Sequence, residues 1–201
     1  KRRPLHLGDL WAGTKELFTH RIVSVSIILQ TLTLAALFGT LSSLQGIFEQ
    51  QFDRAESFPL WFALIALTSM GGSLLNTRFV MTLGMRRIVT RTYVAMLVLT
   101  LVVLATLGSG LLQGNLAFAM QILWCIGLFA MMGLTMGNLN ALAMEPVGHI
   151  AGLAASVISC AATVGSVVLA IPVGLAFNGS STPLLAGVAL LIGLALLLAR
   201  L

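Results

Sequence analysis

Six apolar blocks, each about long enough to cross a lipid bilayer, leave this chain few folds to choose from. A hydrocarbon core about 30 Å thick takes roughly 20 helical residues, and the stretches 22–44, 59–78, 90–108, 117–140, 150–176 and 183–199 come close to that length. They are too long for barrel strands and lack a period of two, so α-helices are the element expected to satisfy the backbone N–H and C=O groups in lipid. The expected fold class is all-α integral membrane: six transmembrane helices over 22–201, preceded by a segment over 1–21. With 58% hydrophobic and 8% charged residues, the composition excludes a soluble domain.

The connectors carry an orientation signal. An even number of crossings puts both termini in one compartment, together with the 79–91 and 141–149 connectors. Lys1, Arg2, Arg3, Lys15, Arg21, Arg78, Arg86, Arg87, Arg91 and Arg200 fall on that side, and only Arg54 falls opposite. Short loops rich in Lys and Arg stay cytoplasmic, so both termini are expected inside the cell. The net charge of +5 is explained by this topology; no basic stripe interleaved with aromatics points to nucleic acid. Cys125 and Cys160 fall within spans, where a thiol behaves as a small apolar group.

Leu7, Leu10, Trp11, Leu17 and Phe18 recur at helical spacing among charged residues, which fits an amphipathic helix in the cytoplasmic interface or a linker helix packed beneath the bundle. A first residue other than Met suggests part of a longer chain. Span five carries Gly148, Gly152, Ser156, Ser159, Thr163, Ser166, Ala170 and Gly174 at intervals of three or four, a seam that lets another helix approach closely. Pro172 should kink its outer end. Span one carries Ser26, Gln30, Thr33 and Thr40 on one face. Polar groups in lipid need partners or water, so Gln30 and Thr33, with Gln121 and Asn138 on span four, are candidate cavity-lining residues. Trp61 and Tyr93 are expected in the outer and inner aromatic belts, and Trp124 deeper, in helix packing.

Intramembrane ionisable groups mark proton or ion paths, and here only Glu145 and His149 qualify, four residues apart at the inner end of span five. Glu145 suits a helix start, where the dipole favours a carboxylate; a gating or proton-handling role for the pair is the alternative. Cys125, Met132 and Met136 are soft ligands that could hold Cu(I), a weaker reading than helix packing, and no metal or other cofactor is expected. Asn178-Gly-Ser180 reads as a turn rather than a glycosylation site. No phosphate loop, catalytic triad or pair of deep carboxylates is present, so an enzyme is not expected.

The run from Gly72 through Asn76, Arg78 and Gly84 to Arg86 and Arg87 resembles the signature cytoplasmic loop of the major facilitator superfamily, with Asn76 near where the fuller motif has an acid. The stretch from Gly137 through Asn140, Glu145, Pro146, Gly148 and Gly152 to Ser156 is similar to the join between the tenth and eleventh helices of its Bcr/CflA-type multidrug-efflux transporters. Phe177-Asn178-Gly179 through Pro183 resembles the outer turn before their last helix, and Phe58–Ala63 their entry to the second span of the half. The resemblance implies the C-terminal six-helix half of such a transporter, built from two inverted three-helix repeats, in a bacterial inner membrane. It implies proton-coupled export of small amphipathic compounds by alternating access. The partner would be an N-terminal six-helix half, a second copy, or other membrane subunits. Two other readings stand beside it: a half-length accessory subunit of a membrane complex and, more weakly, a copper importer.

Overall fold

The computed structural model describes residues 14–200. The expected amphipathic run over Leu7–Trp11 lies outside them; its continuation, 14–19, is helical, with Leu17 buried and Phe18 exposed. Six long helices follow: α1 (Arg21–Gln50), α2 (Phe58–Leu83), α3 (Met85–Gly108), α4 (Gly114–Met144), α5 (Ala151–Leu175) and α6 (Thr182–Ala199). No strand occurs among the described residues. The helices are long and apolar enough to cross a membrane, as in a multi-pass membrane protein.

Apolarity marks the lipid-matched part of a helix, whereas the helix itself runs on until something stops it. With 30 residues, α1 is about 45 Å long at 1.5 Å per residue, because Gln45, Glu49 and Gln50 are good helix formers. It ends where Asp53 takes a left-handed φ of 52° and the Arg54 N–H bonds to Phe48 O at 2.8 Å. The expected 79–91 connector is a single residue, Gly84, at φ 79° and ψ 150°. Only glycine enters that region without strain, so α2 and α3 reverse direction within one residue. Between α4 and α5 the expected 141–149 loop is the end of α4 followed by a 3-10 turn, Glu145–Ile150. There Pro146 withholds a donor and Val147, at φ −123° and ψ 24°, breaks the helix.

In the packing, α1 and α4 lie side by side at the centre. Helix α5 flanks α1 and α2 flanks α4, while α3 and α6 pack on each other and close a four-helix ring with the central pair. Exchanging α1, α2 and α3 for α4, α5 and α6 leaves these principal neighbour relations unchanged. Alternate helices run in opposite directions, so Arg21, Arg78, Arg86, Arg87, Arg91 and Arg200 gather at what we term the basic end. At the far end Phe48, Phe58, Trp61 and Phe118 form an edge-to-face cluster, with Phe62 tilted against Phe58, and Arg54 lies 4.5 Å above the Phe118 ring. Trp61 therefore belongs to this cluster. Tyr93, expected at an interface, is instead fully buried in the core.

The seam on span five divides in two. Ser166, Ala170 and Gly174 do face α1: a Cβ built on Gly174 would meet Ser42 Oγ at 2.9 Å, and one on neighbouring Gly165 would meet Thr31 at 2.9 Å. Gly152, Ser156, Ser159 and Thr163 are exposed, because the buried line of α5 runs instead through Ala154, Ile158 and Ala162. A stripe stepping four, three and four residues drifts around a helix of 3.6 residues per turn, so its two ends need not share a neighbour.

Candidate functional site

The central pair carries most of the buried polar side chains. On α1, the Thr33 hydroxyl donates to Leu29 O at 2.7 Å. Its one proton thus committed, it accepts from the Tyr93 hydroxyl at 2.6 Å, which ties α1 to α3. On α4, Trp124 Nε1 donates to Thr100 Oγ1 at 3.0 Å, and Thr100 passes its own proton to Met96 O at 2.7 Å. These two relays, each ending on a backbone carbonyl, fasten both central helices to α3. Asn138 Nδ2 donates to Leu134 O at 2.8 Å and to Asn76 Oδ1 at 2.6 Å, joining α4 to α2.

Gln30 and Gln121 are different. Both are buried, at 1% and 0% exposure, and each keeps one amide atom without a partner: Nε2 of Gln30 and Oε1 of Gln121. The Gln121 Nε2 reaches only Cys125 Sγ, at 3.7 Å. An unsatisfied buried polar group costs about 1–3 kcal/mol, so these two amides are the strongest sign of a polar function within the bundle. They lie at different depths. Gln30 is nine residues from the basic end of α1 and Gln121 seven residues from the far end of α4. The four residues expected to line one cavity thus divide into two interhelical ties and two unspent amides at opposite levels.

The two glutamines also head an internal repeat. Gln30-Thr-Leu-Thr-Leu-Ala-Ala-Leu-Phe-Gly39 aligns without a gap on Gln121-Ile-Leu-Trp-Cys-Ile-Gly-Leu-Phe-Ala130, sharing Gln, Leu, Leu and Phe and exchanging Ala for Gly and Gly for Ala. The last position does the same work in both copies. A Cβ on Gly39 would meet Val173 of α5 at 2.9 Å, and Ala130 is the residue against which Gly72 of α2 packs. A self-comparison of the sequence would have revealed this repeat; the spans considered one at a time conceal it.

The remaining candidates are dispersed. Gly72, Asn76 and Arg78 stand on α2, Gly84 forms the reversal, and Arg86 and Arg87 open α3, so the motif residues span two helix ends and one turn. Gly72 serves packing: a Cβ there would run into the Ala130 backbone. Glu145 is exposed, and its helix start has no side-chain cap. His149, expected beside Glu145, pairs with Glu16 at 3.1 Å. Cys125 is buried and stands two helical turns from Met132, about 10.5 Å along the axis. Asn178 makes a turn, its Oδ1 accepting from Ser180 N at 3.2 Å and Ser180 Oγ at 2.7 Å, with Gly179 at φ 86°.

Outward faces differ in kind. Helix α3 exposes Val94, Val98, Leu101 and Val102, and α6 exposes Leu190, Leu194 and Leu197, as suits lipid. Helix α2 exposes Thr68, Ser73 and Thr77 among Leu64, Leu67, Met70 and Leu74, and α5 exposes Gly152, Ser156, Ser159 and Thr163 among its aliphatics. Small and hydroxyl residues are enriched where one membrane helix meets another. No family model, curated protein or solved structure matches the chain.

Proposed function

We propose that this chain is a six-helix half of a secondary transporter of the major facilitator type. In this reading it exports small amphipathic compounds against protons by alternating access. The observation that carries the proposal is the repeat: two Gln-headed central helices, antiparallel and related by an exchange that preserves the principal neighbours of all six helices. Inverted three-helix units of this kind build transporter halves, with the working site between the repeats. Gln30 Nε2 and Gln121 Oε1, left without partners in a low-dielectric core, are the groups that would hydrogen-bond a substrate as the bundle rocks. Substrate contact would otherwise be apolar, consistent with a site that tolerates varied amphipathic molecules. The small-residue faces of α2 and α5 would receive the other half. The coupling carboxylate would come from that half, because no Asp or Glu of this chain lies at mid-span.

An accessory subunit of a membrane complex would use the same α2 and α5 faces and needs neither amide. That difference sets the test. Efflux of a fluorescent amphipathic cation is measured in cells expressing the full open reading frame, with Gln30→Leu and Gln121→Leu. Transport predicts that each variant assembles normally yet loses about tenfold in rate, the equivalent of about 1.4 kcal/mol in the barrier. Unchanged efflux in both variants would remove the transport reading.

A further inference from the structure

We infer that the basic end of the bundle holds a binding site for the phosphate headgroup of an anionic lipid, seated inside the α1, α3, α4 and α6 ring. A cavity of about 300 Å³ opens there. Its mouth carries Arg21 and Arg86, its wall Ser26 and Thr90, and its floor is apolar, with Leu29, Val89, Leu139 and Leu142. Arg86 has no ion pair or hydrogen bond from its side chain among the described residues, whereas Arg21 is already engaged. Ser26 is the second pointer. It is 4% exposed, it lines the cavity, and its hydroxyl makes no hydrogen bond among the described residues. The other hydroxyl, Thr90, is spent on Arg86 O at 3.0 Å.

The sign of the charge decides the class of ligand. Helices α1 and α3 start at this cavity and α4 and α6 end there, so their dipoles largely offset one another. Among the described residues no Asp or Glu lines the cavity, so the Arg86 guanidinium stands there without a counter-charge. A phosphate matches a guanidinium fork better than any neutral headgroup does. The volume is at the small end of ligand pockets, enough for a headgroup and the first methylenes of its chains but not for a whole lipid. Arg21, Ile22 and Arg86 are all exposed at the mouth, which gives the rest of the lipid a way out into the leaflet. The site stands apart from Gln30 and Gln121, neither of which lines it, so it does not depend on the transport reading.

The test uses the full chain in a mild nonionic detergent, with native mass spectrometry reading bound lipid and a thermal shift reading affinity. The probes are phosphatidylglycerol, phosphatidylcholine with the same acyl chains, and inorganic phosphate. Phosphatidylglycerol should bind about tenfold more tightly than phosphatidylcholine, a difference of about 1.4 kcal/mol. Arg86→Gln should abolish most of that preference, and Arg87→Gln, next to it but outside the cavity lining, should keep it. Equal binding of both lipids, or equal losses in the two variants, would overturn the site in favour of diffuse surface charge. Displacement of the lipid by inorganic phosphate at matched concentration would overturn the lipid assignment, leaving a soluble anion as the ligand. Both variants alter exposed side chains, so folding is not at stake.

Discussion

Gly71 and Gly72 offer a controlled comparison within one turn of α2. A Cβ on Gly72 would fall against the carbonyl oxygen of Ala130, with the Ala130 Cα at 2.9 Å and carbonyl carbon at 3.0 Å, whereas one on Gly71 would meet nothing within 4 Å. All three obstructing atoms belong to backbone, so no rotamer change relieves them; α2 and α4 must move apart. The crossing is tight from the other side too, where a Cβ on Gly133 would lie 2.8 Å from Ser73 N. Overpacking a close contact costs about 1–3 kcal/mol. Replacing glycine in a helix interior gains up to about 1 kcal/mol through backbone entropy. That gain is common to both sites and cancels in their difference. Gly71→Ala should be neutral or stabilising, and Gly72→Ala should be less stable than Gly71→Ala by about 1–3 kcal/mol. Reversible unfolding in mixed dodecyl maltoside and SDS micelles, followed by tryptophan fluorescence, measures both. Equal stabilities would refute the crossing geometry, and with it the argument that small residues set the spacing of α2 on α4.

Two further outcomes follow from the packing. In a double-mutant cycle of Thr33→Val and Tyr93→Phe, the coupling should be close to 0.6 kcal/mol, about the mean for interhelical hydrogen bonds in a membrane protein; a coupling indistinguishable from zero would mean that the hydroxyls do not touch. In the folded detergent-solubilised chain, N-ethylmaleimide should modify exposed Cys160 and spare buried Cys125 until SDS unfolds the bundle; parallel modification of both would place α4 wrongly at the centre.

The apolar blocks made the helices legible in the sequence because desolvation of the backbone leaves no other element in lipid. Helix ends were less legible, since they depend on local stops such as Asp53, Gly84 and Val147 and not on hydropathy. Burial of Thr33, Gln30, Gln121 and Asn138 could be anticipated from the cost of a polar group in hydrocarbon. Their partners could not, because Tyr93 is 60 residues from Thr33 and Asn76 is 62 from Asn138. A stripe of small residues likewise says that something approaches closely without saying which helix does. On α5 the far part of the stripe meets α1, and the other part is exposed.

The distribution of polar ties separates the bundle into parts of different stiffness. Thr33 on Tyr93 and Trp124 on Thr100 both lead to α3, so α1 and α4 share a fixed support at the back of the bundle. Against that support, α2 buries only Ile65 and Gly72. It is held by one small-residue crossing, one Asn–Asn bond and the aromatic cluster at its start. Helix α5 has no interhelical side-chain hydrogen bond among the described residues and rests on α1 through Gly165, Val173 and Gly174. Dispersion contacts between small residues are individually weak and undirected, so such a helix can slide where a hydrogen-bonded one would have to break a bond in lipid. The proposed transport function would need this division: a bonded frame that keeps Gln30 and Gln121 in fixed relation, and flanking helices free to shift at the surface where the proposed partner would sit.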